Sequence, residues 1–160
     1  MIAVGDADTL GPWTAHIEAM DQAVAANDMG GSVRAWRQAY SAALTSPGWL
    51  GLFTVATASL RVGTFPNLAR RATALARETY WIAFFRARQR RSFTGALLTA
   101  EAFATLGDRD AAERCLGVAA QLASGDGDLV EVDRVRIIVD RLAHGRTTQQ
   151  EATEERATAL

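Results

Sequence analysis

The chain has 160 residues, 49% of them hydrophobic and 22% charged, with a formal net charge of −1. That balance excludes an intrinsically disordered chain and a polybasic nucleic-acid binder, and the length suits one domain with a substantial core. The single cysteine, Cys115, excludes a disulfide framework, and all 17 basic side chains are arginine.

Taken in chain order, residues 1–10 carry acids and no basic start, so they read as an N-terminal tail and not as a secretory signal. Gly11-Pro12 opens a first helix that runs to about Asn27, because proline at a helix start loses no hydrogen bond. Met29-Gly30-Gly31 breaks it, and Ser32 caps a second helix to about Thr45 with Ala35, Trp36, Ala39 and Ala42 on its inner face. Ser46-Pro47 starts a third helix ending near Gly63, and Thr64-Phe65-Pro66 starts a fourth. Neither glycine nor proline interrupts the next stretch before Gly95, so the fourth helix is expected to reach Arg91. Ser92 or Thr94 caps a fifth helix ending at Gly107, and Asp108 caps a sixth. After the loop 124–127, Asp128 with Glu131 marks a capping-box start for a seventh helix to about His144. These elements make one helical domain over 11–144, followed by a polar tail over 145–160 with no apolar stripe. The longest apolar stretch, 49–60, is too short to span a bilayer, so a cytoplasmic protein without membrane contact is expected.

Small residues recur along this all-α pattern. Ala23, Gly30, Ala35 and Ala42 have the same spacing as Ala100, Gly107, Ala112 and Ala119, and Ala56, Gly63, Leu68 and Leu75 form a degenerate copy. The copies begin 33 and then 44 residues apart, and the extra eleven residues are close to three helical turns, which keeps a buried stripe on one face. Side chains of little bulk around a glycine are what two antiparallel helices need when they cross closely at a tight turn. With Pro47 closing the first copy and Leu106-Gly107-Asp108-Arg109-Asp110-Ala111-Ala112-Glu113 forming a turn and helix entry, the pattern resembles the tetratricopeptide repeat. The resemblance covers roughly residues 12–124. It implies tandem antiparallel helix pairs in a right-handed superhelix, about three pairs, with Asp128–His144 as a C-terminal capping helix.

Catalytic chemistry finds little support. His16 and His144 have no neighbouring ligands at metal-binding spacing, and Cys115 lies among apolar residues of its helix. No P-loop, nucleophile elbow, zinc-protease or dinucleotide motif occurs, so no enzyme, metal or cofactor is expected.

The resemblance points to a non-enzymatic scaffold that binds a protein or peptide segment on the concave face. Carried onto this chain, that face comprises Ile17, Met20 and Val24, then Phe53, Thr57, Leu60 and Arg61, then Leu97 and Glu101. Its apolar character favours an amphipathic helix as ligand. The same side chains would instead be core if the pairs curl tightly. A second surface is the basic segment 70–91, where Arg70, Arg71, Arg77, Arg86, Arg88, Arg90 and Arg91 meet only Glu78. Its end, Arg86, Arg88, Arg90 and Arg91, suits an anionic ligand or an acidic segment, so the alternative function is a regulatory module that binds an anionic ligand or nucleic acid through 70–91, with net charge and the lack of a known module arguing against nucleic acid. Tyr80-Trp81-Ile82-Ala83-Phe84-Phe85 has more apolar surface than one helix face needs, which points to a neighbouring helix or a homodimer. Trp36, Tyr40, Trp49 and Phe53 could line an aromatic cavity for a small molecule or simply fill a core.

Overall fold

A computed structural model describes residues 11–158, so the predicted tail at 1–10 lies outside the described residues. Among these the chain forms seven helices and no strand: α1 (Thr14–Ala25), α2 (Met29–Thr45), α3 (Leu50–Val62), α4 (Ala69–Gln89), α5 (Phe93–Leu106), α6 (Arg109–Leu122) and α7 (Asp126–Thr158). The all-α expectation holds. Helices pack as the neighbouring pairs α1/α2, α3/α4 and α5/α6. The chain divides into two compact units, one ending at Arg90 and one beginning at Arg91, where a single domain over 11–144 is expected from sequence. The break falls in the turn that separates Gln89 from Phe93, where Arg91 takes a left-handed φ of 53°.

The first unit is built on a turn that the glycine ladder misplaces. Asn27, with φ 55°, makes the left-handed bend after α1, a conformation that asparagine tolerates. Asp28 then caps α2, its carboxylate accepting the Gly31 N–H at 2.9 Å. Gly30 therefore lies inside the first turn of α2, and Ser32 is not the cap but a fully buried residue whose hydroxyl donates to the Met29 carbonyl. Met20, Ala39, Leu52, Val55 and Ala58 are fully buried in a core that also includes Trp13 and Phe65. Trp13 reaches its place because Gly51 has no side chain; a Cβ there would stand 2.7 Å from the indole. Helix α3 packs on both members of the α1/α2 pair and on α4. The α3/α4 turn holds Gly63 at the end of α3 and Pro66 within the connection, so α4 begins at Ala69, a little later than its proline predicts.

The second unit repeats the design. Gly107 makes a left-handed bend at φ 76°, and Asp108 caps α6 through the Ala111 N–H at 3.2 Å. Asn27-Asp28 and Gly107-Asp108 are thus equivalent at an offset of 80 residues, not the 77 that aligning Gly30 with Gly107 requires. In that register Ser32, Ala35, Trp36 and Ala39 match Ala112, Cys115, Leu116 and Ala119, all eight buried. Ser92 caps α5 as expected, accepting from the Gly95 N–H at 3.1 Å. Helix α7 packs on both α5 and α6, with Val132, Val135 and Val139 buried. Its start differs from the expected capping box. Asp128 accepts from the Ser124 N–H and hydroxyl, whereas Glu131 pairs with Arg134. The helix also continues to Thr158, where a polar tail is expected beyond residue 144, because no proline and no glycine after Gly145 interrupts it.

Candidate functional site

Residues of α2, α3 and α4 enclose a trough of about 320 Å³ in the first unit. Helix α2 supplies Val33, Trp36, Arg37 and Tyr40 as one wall. Helix α3 lies beneath with Ser59 and Val62. The other wall is Arg71, Ala72, Leu75, Glu78, Thr79 and Ile82 of α4, preceded by Leu68. The α4 residues recur every three to four positions, so they stand on one side of the helix for its first four turns.

The aromatic wall is fixed. Trp36 and Tyr40 stack with centroids 5.3 Å apart and planes 19° from parallel, and the Trp36 indole N–H donates to the Val55 carbonyl at 3.4 Å. Of the three hydroxyls that line the trough, those of Ser59 and Thr79 are committed, and the Tyr40 hydroxyl has no hydrogen-bond partner among the described residues. Ser59 donates to the Ala56 carbonyl at 2.6 Å and Thr79 to the Leu75 carbonyl at 2.7 Å, so both satisfy their protons within their own helices. What remains is an apolar surface with charge only at its edges. Arg37 on one wall and Arg71 on the other are exposed and have no ion-pair or hydrogen-bond partner among the described residues. Glu78, also exposed, is the third charged side chain of the lining, seven positions beyond Arg71 on α4.

Arg86 lies one turn beyond Ile82 on α4, outside the lining of the trough. Its guanidinium donates to the carbonyls of Leu44 and Ser46, both at 2.9 Å, and to those of Gly48 at 3.2 Å and Ala43 at 3.4 Å. These carbonyls end α2 and begin its connection to α3, where no further helical N–H is available to them. A positive charge at the negative end of a helix dipole adds to the same clamp.

The residues expected on a concave binding face have other places. Ile17 and Met20 belong to the core of the first unit, Met20 with no exposed surface, and Leu97 is buried in the second unit. These three are core residues because α1 and α5 turn their apolar stripes inward toward the helices packed on them. Val24 and Phe53 are half-buried against the core, and Leu60 is half-buried. Thr57 shares a hydrogen bond of 2.9 Å with Tyr80, and Arg61 forms a two-pronged bridge to Asp21 at 2.7 and 3.1 Å. Glu101 faces Arg134 of α7 at 3.7 Å. Of the arginines expected to hold an anion, Arg86 is corrected to a backbone clamp, while Arg88, Arg90 and Arg91 are exposed.

The apolar run on α4 is mostly absorbed within the fold. Tyr80, Ala83 and Phe84 are buried and Ile82 lines the trough, leaving Phe85 52% exposed and stacked on Trp81. Burial raises the Tyr80 hydroxyl above its ordinary range, and the hydrogen bond it shares with Thr57 offsets part of that. Of the four aromatics read as a possible cavity, Trp36 and Tyr40 line the trough, whereas Trp49 and Phe53 pack edge to face with each other outside it. The α4 wall went unread as a site. Leu68, Leu75 and Ile82 at seven-residue spacing carried the signal, but it is the same pattern that any core stripe shows.

Among the described residues no group of His, Cys, Asp and Glu is placed to hold a metal, and no helix is long and apolar enough to cross a membrane. Burial pushes the Cys115 thiol up to about 12, with a hydrogen bond shared with Thr99 acting against the shift, so the thiol stays protonated at neutral pH. No family model matches the chain, and neither the curated proteins nor the solved structures contain a significant match to it.

Proposed function

We propose that this chain is a non-enzymatic binding module of the tetratricopeptide-like kind, and that it takes a protein or peptide segment in the trough between α2 and α4. The single observation that carries this reading is the trough itself. It is an apolar concavity of about 320 Å³ with a fixed aromatic wall and unpaired guanidinium groups on its edges. Concave apolar surfaces with a few placed polar groups are where ligands bind. Two further features support the repeat-like architecture. The bend-and-cap pair recurs as Asn27-Asp28 and Gly107-Asp108, and in each unit a third helix packs on both members of a pair.

The reading moves the binding surface from the first helices of the pairs to α2 and α4, because Ile17, Met20 and Leu97 are core. An anionic partner on the far end of the basic segment, Arg86 to Arg91, has less to stand on, since Arg86 already serves four backbone carbonyls. The test is a pair of affinity captures, one on the wild-type chain and one on Val33→Glu, which places a charge in the trough at a half-buried position. Proteins bound by the wild type and lost from the well-folded variant support the trough. Identical capture by the two removes it.

A further inference from the structure

We infer that the occupant of the trough is an acidic amphipathic helix of a protein partner, lying along α4 with carboxylates against Arg37 and Arg71. The inference rests on the trough being the binding site and adds what fills it. Shape is the first argument. From Arg71 to Ile82 the α4 wall extends through about 16 Å at 1.5 Å per residue, so the site is long in the direction of a helix axis. A stripe of this kind accepts the ridge of a second helix. The molecule itself seats helices in this way: α3 lies on α1 and α2, and α7 lies on α5 and α6.

Charge is the second argument. Arg37 and Arg71 stand on opposite walls, so a helix between them would offer a carboxylate to each side while its apolar stripe faces Trp36 and Leu75. Arg61 shows what an arginine of this unit does when an acid is in reach, gripping Asp21 with two nitrogens. Inside the trough, by contrast, Ser59 and Thr79 have already given their protons to their own helices. Apart from the Tyr40 hydroxyl, the side-chain donors between the edges are spent, so the charged donors that can receive carboxylates are the two edge arginines.

The test uses two designed, fluorescein-labelled helical peptides with leucines along one face and edge positions that are all glutamate or all lysine. Binding to the full chain is read by fluorescence anisotropy at about 50 mM and about 300 mM salt, since edge charges are screened over this range. The glutamate peptide is expected to bind at least about tenfold more tightly at the lower salt, with the preference shrinking at the higher. The double variant Arg37→Glu, Arg71→Glu alters two exposed, unpaired side chains, so it should fold normally and reverse the preference. Equal binding of both peptides, or a preference untouched by the double variant, overturns the acidic occupant while leaving the trough in place. Binding of 2-naphthoate, sensitive to Val33→Glu, with neither peptide bound up to about 1 mM, assigns the site to a small acid and also overturns it. Peptide binding unaffected by Val33→Glu removes the trough itself.

Discussion

The Arg86 side chain, on α4, donates to the main-chain oxygen of Ser46 at 2.9 Å, 40 positions earlier in the chain. With its bonds to Leu44, Gly48 and Ala43, it ties the end of α2 to the far part of α4. Replacing it by methionine keeps the aliphatic stem and leaves carbonyls of a half-buried corner unmet. A loss of about 2 kcal/mol is expected, the scale of charged hydrogen bonds in a partly exposed site. Urea denaturation of Arg86→Met and Arg86→Lys checks it. Lysine, a single point donor, should recover only part of the loss, and full recovery would show that charge alone matters.

Asp28 and Asp108 have the same task at equivalent bends, so Asp28→Ala and Asp108→Ala should each cost about 1 kcal/mol. Gly31→Ala makes a sharper test. A Cβ at 31 would meet the Asp28 carboxylate, but Ala111 occupies the matching place in the second unit with the cap bond at 3.2 Å. The side chain of Asp28 can therefore back away, and the gain in helix propensity offsets the weaker cap to within about 0.5 kcal/mol. Equilibrium unfolding of the three variants measures all of this.

Gly51→Ala has no such escape. The added carbon would stand 2.7 Å from the Trp13 ring, which is only 8% exposed and belongs to the packed core. A destabilisation of about 1–3 kcal/mol is expected from overpacking, accompanied by a change in tryptophan fluorescence.

Stability should also fall in alkali. The Cys115 thiol has its pKa pushed from 9.0 to about 12 by burial, so between those values the folded chain keeps a proton that the unfolded chain has released. This stabilisation is complete below the ordinary thiol value and is lost as pH rises toward 12. Tyr80, also raised, acts in the same direction above its ordinary 10.0. Unfolding midpoints measured from neutral pH upward should decline, and Cys115→Ala should flatten the first part of that decline even though it lowers stability overall. The same burial predicts that the thiol resists alkylation until the chain is unfolded.

Much of the helical order was legible because its signals are local. Ser92 and Asp108 both cap helices where a short polar residue precedes an apolar run, and Gly107 bends where a glycine is expected. The register of the first pair was not legible, because asparagine takes over the left-handed bend at 27 and leaves Gly30 and Gly31 to look like the break. A search anchored on glycines then slips by three residues. Met20 illustrates a different difficulty. On a helix, the stripe that meets a partner and the stripe that meets a core have the same periodicity, and only the packing of α1 decides between them. Arg86 is harder still, since an arginine bound to main-chain oxygens of a distant corner leaves no trace in composition or spacing. The length of α7 is not legible either, because its apolar pattern stops near His144 while helix propensity carries the backbone on to Thr158.

The floor and both walls of the trough come from residues before Arg91. Whatever settles there can lend its free energy of association to that half of the polypeptide alone, by mass action on its native form. If the halves melt in separate steps, calorimetry would register an occupant as the upward movement of one heat-absorption peak beside a stationary companion.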